Sequence, residues 1–203
     1  MRSRFRGWFA LLSLLVFGTA QAGTVLVVGD SISAGYGVPA HKVWVNNLAE
    51  HVRKTGHAVV NASVSGDTTA GGVSRLPSLL RQHRPMIVVL ELGGNDGLRG
   101  LPMKATRANL SKMVQLSRNA GARVLLVGMD VPPNLGPAYA REFRELYPAV
   151  ARAGGATLLP SFLADVAVDP DMMQADGIHP NSLAQPILAD KVWKALAPML
   201  KAK

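Results

Sequence analysis

The segment 24-TVLVVGDSIS-33 predicts the fold, because it joins a buried strand to polar residues at the strand's end. Residues 25–28 are apolar at consecutive positions, which is typical of a parallel strand covered by helices on both faces. Asp30 and Ser31 follow in the turn. In a doubly wound sheet, ligands bind just beyond the carboxyl ends of the strands. These two side chains are therefore candidates for chemistry, and Ser31 is the first to consider.

Similar apolar runs recur along the chain, separated by stretches with helical periodicity. Further strands are predicted at 58–60, 86–90, 123–127 and, more weakly, 156–159. Helices are predicted at about 43–55, 71–83, 103–119, 138–153 and 183–200. This alternation predicts an α/β protein with three layers, α/β/α, built on a flavodoxin-like doubly wound sheet of about five parallel strands.

The first 22 residues have the pattern of a secretory signal peptide. Arg2, Arg4 and Arg6 form a basic head, an apolar stretch covers residues 8–17, and the small residues of 20–22 offer a cleavage site. The apolar stretch is roughly half of the ~20 residues that a membrane helix needs, which disfavours an uncleaved anchor. We expect cleavage near Ala22, a single domain over residues 23–203, and a periplasmic or secreted location.

Length, charge and cysteine content narrow the classes of function. A chain of 203 residues with 48% hydrophobic residues suits one globular domain. It has no cysteine, so neither a disulfide nor a lipid-anchored cysteine can form.

The net charge of +9 falls to +6 without the three arginines of the signal peptide. The remaining basic residues are dispersed along predicted helices, which favours solvated helix faces over a nucleic-acid site and leaves transient contact with a lipid surface open. Nothing demands an oligomer, and we expect a monomer.

Three residues supply the groups that serine catalysis needs. A serine hydroxyl is a poor nucleophile until a base, usually a histidine held by a carboxylate, takes its proton. Ser31 follows the first strand and His179 precedes the last helix, so both are expected at the same edge of the sheet. Asp176 lies three residues before His179, and a tight turn would let the two side chains share a hydrogen bond. Asp30 is an alternative carboxylate, but its place beside Ser31 favours a role in holding the turn.

Acyl transfer also needs hydrogen-bond donors for the oxygen that becomes negative in the tetrahedral intermediate. Gly66 can present an unobstructed backbone N–H after the second strand, and Asn95 can present its side-chain amide after the third. The backbone N–H of Ser31 is a further donor. As alternatives, Ser31 could merely cap the helix that follows, and Asn95 and Asp96 could form a turn and a helix cap, which is the role assigned to Asp96.

Together, four motifs resemble the conserved blocks of the SGNH, or GDSL, hydrolase family. They are, in chain order, GDSIS at 29–33, Gly66 within SGDTT at 65–69, GGND at 93–96 and DGIHP at 176–180. The segments 92–100 and 172–181 look particularly like the periplasmic thioesterase I, lysophospholipase and arylesterase subfamily. The resemblance covers about residues 24–198. It implies the SGNH hydrolase fold, with no metal and no organic cofactor. The residue roles that it implies are Ser31 as nucleophile, Asp176 and His179 as the rest of the triad, and Ser31, Gly66 and Asn95 as the oxyanion hole.

The same resemblance implies hydrolysis of acyl esters, acyl thioesters and lysophospholipids through an acyl-enzyme intermediate. In that subfamily the loop after GGND moves over the acyl chain, and loops are predicted here at 97–101 and 131–139. The candidate substrate contacts are Leu98, Arg99, Leu101, Pro132 and Ile178. Arg99 would meet a polar head group. Met172 and Met173 fit either an acyl channel or the core, and core is the default.

Other functions remain as alternatives. A carbohydrate O-deacetylase could use the same fold, and a lipid-binding protein could retain the site residues without turnover. A flavodoxin-like protein could use SGDTT to hold the phosphate of FMN, but Ser31, Asn95 and His179 would then have no role.

The remaining titratable residues have no assigned chemistry. The other histidines, which have no metal-ligand spacing and are expected on the surface, are His41, His51, His57 and His83. Glu91 interrupts an apolar strand, so we expect it to be paired or to lie near the end of the sheet.

Overall fold

The computed structural model describes residues 22–201, so the predicted signal peptide lies outside the described residues except for Ala22. Five strands form one sheet in the order β2-β1-β3-β4-β5, and every neighbouring pair is parallel. The strands are β1 (Thr24–Gly29), β2 (Ala58–Asn61), β3 (Ile87–Glu91), β4 (Arg123–Val127) and β5 (Thr157–Leu159). The predicted α/β class and the five parallel strands are confirmed.

Helices cover both faces of this sheet. They are α1 (Ser31–Ala34), α2 (Trp44–Arg53), α3 (Thr69–His83), α4 (Gly94–Leu98), α5 (Met103–Asn119), α6 (Pro137–Gly154) and α7 (Gln185–Lys201). On one face α2 packs against α7, and on the other α5 packs against both α3 and α6. Strands β1, β3 and β4 are buried almost throughout, because their consecutive apolar side chains alternate between these two helical layers.

The structure departs from the sequence prediction in the two segments that were predicted to be loops. The segment 97–101 was predicted as a loop, but its first two residues belong to α4. The segment 131–139 contains a 3₁₀ turn at Pro133–Leu135, and α6 begins at Pro137. Helices of four or five residues, such as α1 and α4, are too short to show a helical period in the sequence.

The carboxyl ends of β1, β2 and β3 bring GDSIS, SGDTT and GGND to one edge of the sheet, as expected. Strand order reverses between β1 and β3, because the chain forms β2 on one side of β1 and then returns to form β3 on the other. A doubly wound sheet has its binding crevice at such a reversal. Within residues 22–201, no helix is both long enough and apolar enough to cross a membrane.

Candidate active site

Ser31 is the first residue of α1, at the point where β1 ends. Asp30, not Ser31, caps this helix: Asp30 Oδ1 accepts a hydrogen bond from the Ile32 N–H at 3.0 Å. The hydroxyl of Ser31 is therefore not used as a helix cap, and Asp30 holds the local turn as expected.

Ser31, His179 and Asp176 form a continuous chain of hydrogen bonds. Ser31 Oγ lies 2.8 Å from His179 Nε2, and His179 Nδ1 lies 2.7 Å from Asp176 Oδ2. The other oxygen of Asp176 accepts the backbone N–H groups of Ile178 at 2.9 Å and His179 at 3.0 Å. Gly177 has a φ of +66°, the left-handed conformation that lets this turn close. The structure thus brings together the three residues that the sequence singled out.

The charge of Asp176 suits this arrangement. Burial tends to raise the pKa of Asp176, but the backbone N–H groups of His179 and Ile178 and the His179 ring together lower it to about 2. The carboxylate is therefore charged at ordinary pH. It can keep a proton on His179 Nδ1, which leaves Nε2 free to accept the proton of Ser31. Tyr36, which the sequence analysis did not identify, packs its ring 4.7 Å from the His179 ring.

Gly66 and Asn95 lie with Ser31 around a cavity of about 370 Å³. The amide of Asn95 is not free: its Nδ2 donates to the Asp67 carbonyl at 2.9 Å and to Asp30 Oδ2 at 3.1 Å. Both amide hydrogens have acceptors, so a substrate oxygen at this position would have to share one of them.

Asp96, which was expected to be a helix cap, accepts hydrogen bonds from the first residue of α3, although the N-cap residue of α3 is Thr68. Asp96 lies inside α4 and is buried, and its Oδ2 accepts the Thr69 N–H at 2.9 Å, at the start of α3. The Thr69 hydroxyl donates to Oδ1 of the same carboxylate. Asp96 therefore joins the segment after β3 to the segment after β2, and so links the two segments that carry Asn95 and Gly66.

A second cavity of about 650 Å³ adjoins the first, with Ile32, Gly94, Leu98 and Ile178 on the walls of both. Most of its lining is apolar, and the residues that the sequence analysis did not identify include Met129, Val131, Ala140, Leu163, Ala164 and Ala167. They come from the segments after β4 and β5 and from α6, where no motif marks them.

The five predicted substrate contacts lie in different places. Leu98 and Ile178 line both cavities, and Pro132 lines the larger one. Arg99 lines neither, and its guanidinium donates to the Gly66 carbonyl at 3.0 Å. Leu101 also lies outside the lining of both.

Met172 and Met173 were expected either to line an acyl channel or to pack in the core, and the two residues differ in this respect. Met173 lines the larger cavity, whereas Met172 packs against the core.

Two other carboxyl groups near Ser31 are buried, those of Glu91 and Asp30. Glu91, at the end of β3 as expected, is fully buried, and burial followed by the charge of Asp30 raises its pKa well above the ordinary value. Burial likewise raises the pKa of Asp30 to about 6. A carboxyl group in an apolar surrounding favours its neutral form. The pKa values of Glu91 and Asp30 are therefore raised, whereas the pKa of Asp176 is lowered.

The remaining histidines lie away from this cleft. His57 Nδ1 accepts the Gly23 N–H at 2.9 Å, and His51 stacks on Trp193. In the part of the chain that the structure describes, no group of three or more His, Asp or Glu side chains is arranged to hold a metal ion.

Known proteins are similar to this chain in sequence and in fold. A model of the GDSL-like lipase/acylhydrolase family matches residues 27–185. The chain is 49% identical to esterase TesA of Pseudomonas aeruginosa over 192 residues, which are 94% of this chain and 96% of that protein. It is 45% identical to thioesterase 1/protease 1/lysophospholipase L1 of Escherichia coli K12, over 95% of this chain and 92% of that one. A crystal structure of TesA superposes with a TM-score of 0.85 at 50% identity, and covers 87% of this chain and 99% of its own.

The raised pKa of Asp30 predicts a pH-dependent stability. The folded protein holds this proton up to about pH 6, whereas the ordinary value in the unfolded chain is 3.8. The stability due to Asp30 is therefore fully present below about pH 4 and is lost as the pH rises through 6, by on the order of 3 kcal/mol. Urea unfolding between pH 4 and 7 should show a shallower decline in Asp30→Asn than in the wild type. Equal slopes for the two proteins would contradict the prediction.

Proposed function

The chain belongs to the GDSL-like lipase/acylhydrolase family and is an esterase and thioesterase of that family, and from this premise we propose that Ser31, His179 and Asp176 are its catalytic triad. The observation that carries the proposal is the chain of hydrogen bonds from Ser31 Oγ through both nitrogens of His179 to Asp176, at 2.8 and 2.7 Å. A nucleophile hydrogen-bonded to a base that a third group orients is the arrangement that activates a serine.

The first half of the proposed reaction forms an acyl-enzyme. Ser31 Oγ attacks the carbonyl carbon of the ester or thioester while His179 Nε2 takes the serine proton. The carbonyl oxygen becomes negative and accepts hydrogen bonds from the N–H groups of Ser31 and Gly66 and from the Asn95 amide. When the tetrahedral intermediate collapses, the bond to the alcohol or thiol breaks and His179 protonates that leaving group. The acyl group is then esterified to Ser31.

The second half returns the free enzyme. Water attacks the acyl carbon as His179 takes one of its protons, and the collapse of the second intermediate releases the acid and restores the Ser31 hydroxyl. Asp176 stays ionised throughout, in accord with its pKa of about 2, and stabilises the histidine when that ring carries two protons. All of these steps use groups of the chain and water.

The larger cavity supports an acyl chain as the group transferred. It adjoins the cavity at Ser31, its volume is about 650 Å³ and its lining is mostly apolar. Burial of each methylene group there would contribute about 0.8 kcal/mol. We propose that acyl esters, thioesters and lysophospholipids are substrates, which fits the thioesterase and lysophospholipase names of a relative.

The exposed apolar side chains support transient contact with a lipid surface. The large ones in the described part of the chain all lie in segments that follow the carboxyl ends of the strands, on the same edge as the cleft. They are Tyr36, Val64, Leu98, Leu101, Leu135, Val168, Ile178 and Leu183. A substrate at the surface of a micelle or membrane could therefore reach the cleft with apolar side chains around its mouth. The enzyme is proposed to act as a monomer.

The location of the enzyme is also a proposal. We propose that residues 1–22 direct export and are removed, so that the mature enzyme begins at Gly23 and works in the periplasm. N-terminal sequencing of the protein from a periplasmic extract should find Gly23 first. Recovery only from the cytoplasm with residues 1–22 intact would contradict the proposal.

The direct test of the catalytic role is a series of p-nitrophenyl esters from acetyl to palmitoyl, with acyl-CoA thioesters and lysophospholipid micelles alongside. Ser31→Ala should lower kcat by roughly 10⁵ to 10⁶, as loss of the nucleophile does in serine hydrolases. Wild-type turnover of acetyl esters alone would favour the O-deacetylase alternative. Substrate binding without turnover, unchanged in Ser31→Ala, would favour a lipid-binding protein.

The position of Leu98 predicts an effect on chain-length preference. Leu98 lines both cavities, whereas Leu101, with the same 37% exposure, lines neither. Leu98→Ala should remove about 1 kcal/mol of contact with a medium acyl chain. We expect kcat/KM to fall about fivefold for an octanoyl ester and to stay unchanged for an acetyl ester. Leu101→Ala is the matched control and should leave the ratio of the two substrates unchanged. An unchanged ratio in Leu98→Ala would refute the assignment.

A further inference from the structure

Glu91 is a fully buried carboxyl group that the proposed reaction does not use. It lies at the end of β3, and its Oε1 has no hydrogen-bond partner within residues 22–201. Burying a carboxyl group is costly unless the contacts it makes compensate. The contacts of its other oxygen, Oε2, therefore indicate the role of this carboxyl group.

The two donors to Glu91 Oε2 flank the nucleophile. The Ser33 hydroxyl donates at 2.5 Å, and the Asp30 N–H donates at 3.4 Å. Ser31 lies between these two residues, on a helix of only four residues. One helical turn is too short to be stable by itself, so contacts from other elements must fix its position. Glu91 provides such a contact from a central strand.

Gly29 leaves room for this contact. It lies opposite Glu91 in the β1–β3 register. A Cβ at this position would come within 2.5 Å of both Glu91 Oε2 and Ser33 Oγ. Because residue 29 has no side chain, the carboxyl group can cross from β3 to the turn.

The strand that carries Glu91 also leads to the Asn95 amide. Asn95 lies only four positions after Glu91 in the chain, and the Tyr147 hydroxyl donates to the Leu92 carbonyl between them at 3.1 Å. Asn95 in turn donates to Asp30 Oδ2 at 3.1 Å. Glu91, Asp30 and Asn95 thus close a ring of contacts between the turn after β1 and the segment after β3.

We propose that Glu91 is a positioning residue, which holds the Ser31 turn against β3 through the Ser33 hydroxyl and the Asp30 N–H and so sets the distance between the nucleophile and Asn95. The inference rests on the proposed function, because it assumes that Ser31 attacks the substrate and that Asn95 binds the oxyanion. Glu91 touches neither the substrate nor the reacting atoms. Its effect should therefore appear in kcat and leave KM almost unchanged.

The neutral form of Glu91 suffices for this role. A single oxygen accepts both hydrogen bonds, and burial beside Asp30 favours the protonated carboxyl. A glutamine side chain has the same shape and offers the same oxygen. Leucine has a similar volume but accepts no hydrogen bond, so it would leave both donors unpaired.

These properties define a set of variants, assayed for kcat and KM on a soluble short-chain p-nitrophenyl ester. Glu91→Leu should lower kcat about 30-fold, and Ser33→Ala about tenfold, with KM within twofold of the wild type in both. Glu91→Gln should keep kcat within threefold. The matched control is Ser117→Ala, which removes another fully buried serine hydroxyl, bonded to the Met113 carbonyl at 2.9 Å on α5. It should lower the melting temperature without changing kcat.

Several results would overturn the proposal. These are wild-type kcat in both Glu91→Leu and Ser33→Ala, a loss in Glu91→Gln as large as in Glu91→Leu, or a loss in Ser33→Ala no larger than in Ser117→Ala. If Glu91→Leu does not fold, Ser33→Ala and Glu91→Gln decide the question together. Ser31→Ala, measured alongside, distinguishes failure of this proposal from failure of the proposed function. If Ser31→Ala keeps the turnover of the wild type, the proposed function itself is refuted.

Discussion

The site depends on the reversal of strand order at the centre of the sheet. The segment after β1 leads to α2 on one face, and the segment after β3 leads to α5 on the other. The two segments diverge and leave a crevice between neighbouring strands, as doubly wound sheets do. Ser31 stands on one side of this crevice and Asn95 on the other. Each lies close to the end of a buried strand, so the fold itself brings the proposed nucleophile and an amide donor to the same opening.

Carboxyl groups at this edge have two opposite uses, and their surroundings determine which. Asp176 lies in a partly exposed turn and accepts two backbone N–H groups and the His179 ring, which lower its pKa to about 2. Glu91 and Asp30 are buried, and burial raises the pKa of each. A charged carboxylate can stabilise a histidine that gains a proton, whereas a neutral or weakly acidic one serves as a hydrogen-bond acceptor at low cost of charge burial. The separation of these pKa values supports a division of labour between catalysis and positioning.

The sequence predicts those features that are determined by a few consecutive residues. The strands were found because consecutive apolar residues need no information from elsewhere, and Ser31, Asp176 and His179 were found because they lie in short motifs at strand or helix ends. Contacts between distant segments leave no such trace. The hydrogen bond from the Thr69 N–H to Asp96 and the bond from Arg99 to the Gly66 carbonyl are of this kind. The walls of the larger cavity, such as Leu163 and Ala167, are ordinary apolar residues that acquire their role only when the segments pack together.

The occupied amide of Asn95 bears on how the proposed oxyanion hole would discriminate. Its two hydrogens already have acceptors in Asp30 and Asp67, which orient the amide toward the cleft before substrate arrives. A neutral carbonyl oxygen competes weakly for a shared hydrogen, whereas an oxyanion competes strongly, since hydrogen bonds to charged acceptors are about twice as strong. The donor therefore gains more from the tetrahedral intermediate than from the bound ester. An interaction that strengthens only as charge develops raises kcat instead of tightening ground-state binding, so holding the amide in place with internal acceptors is compatible with catalysis.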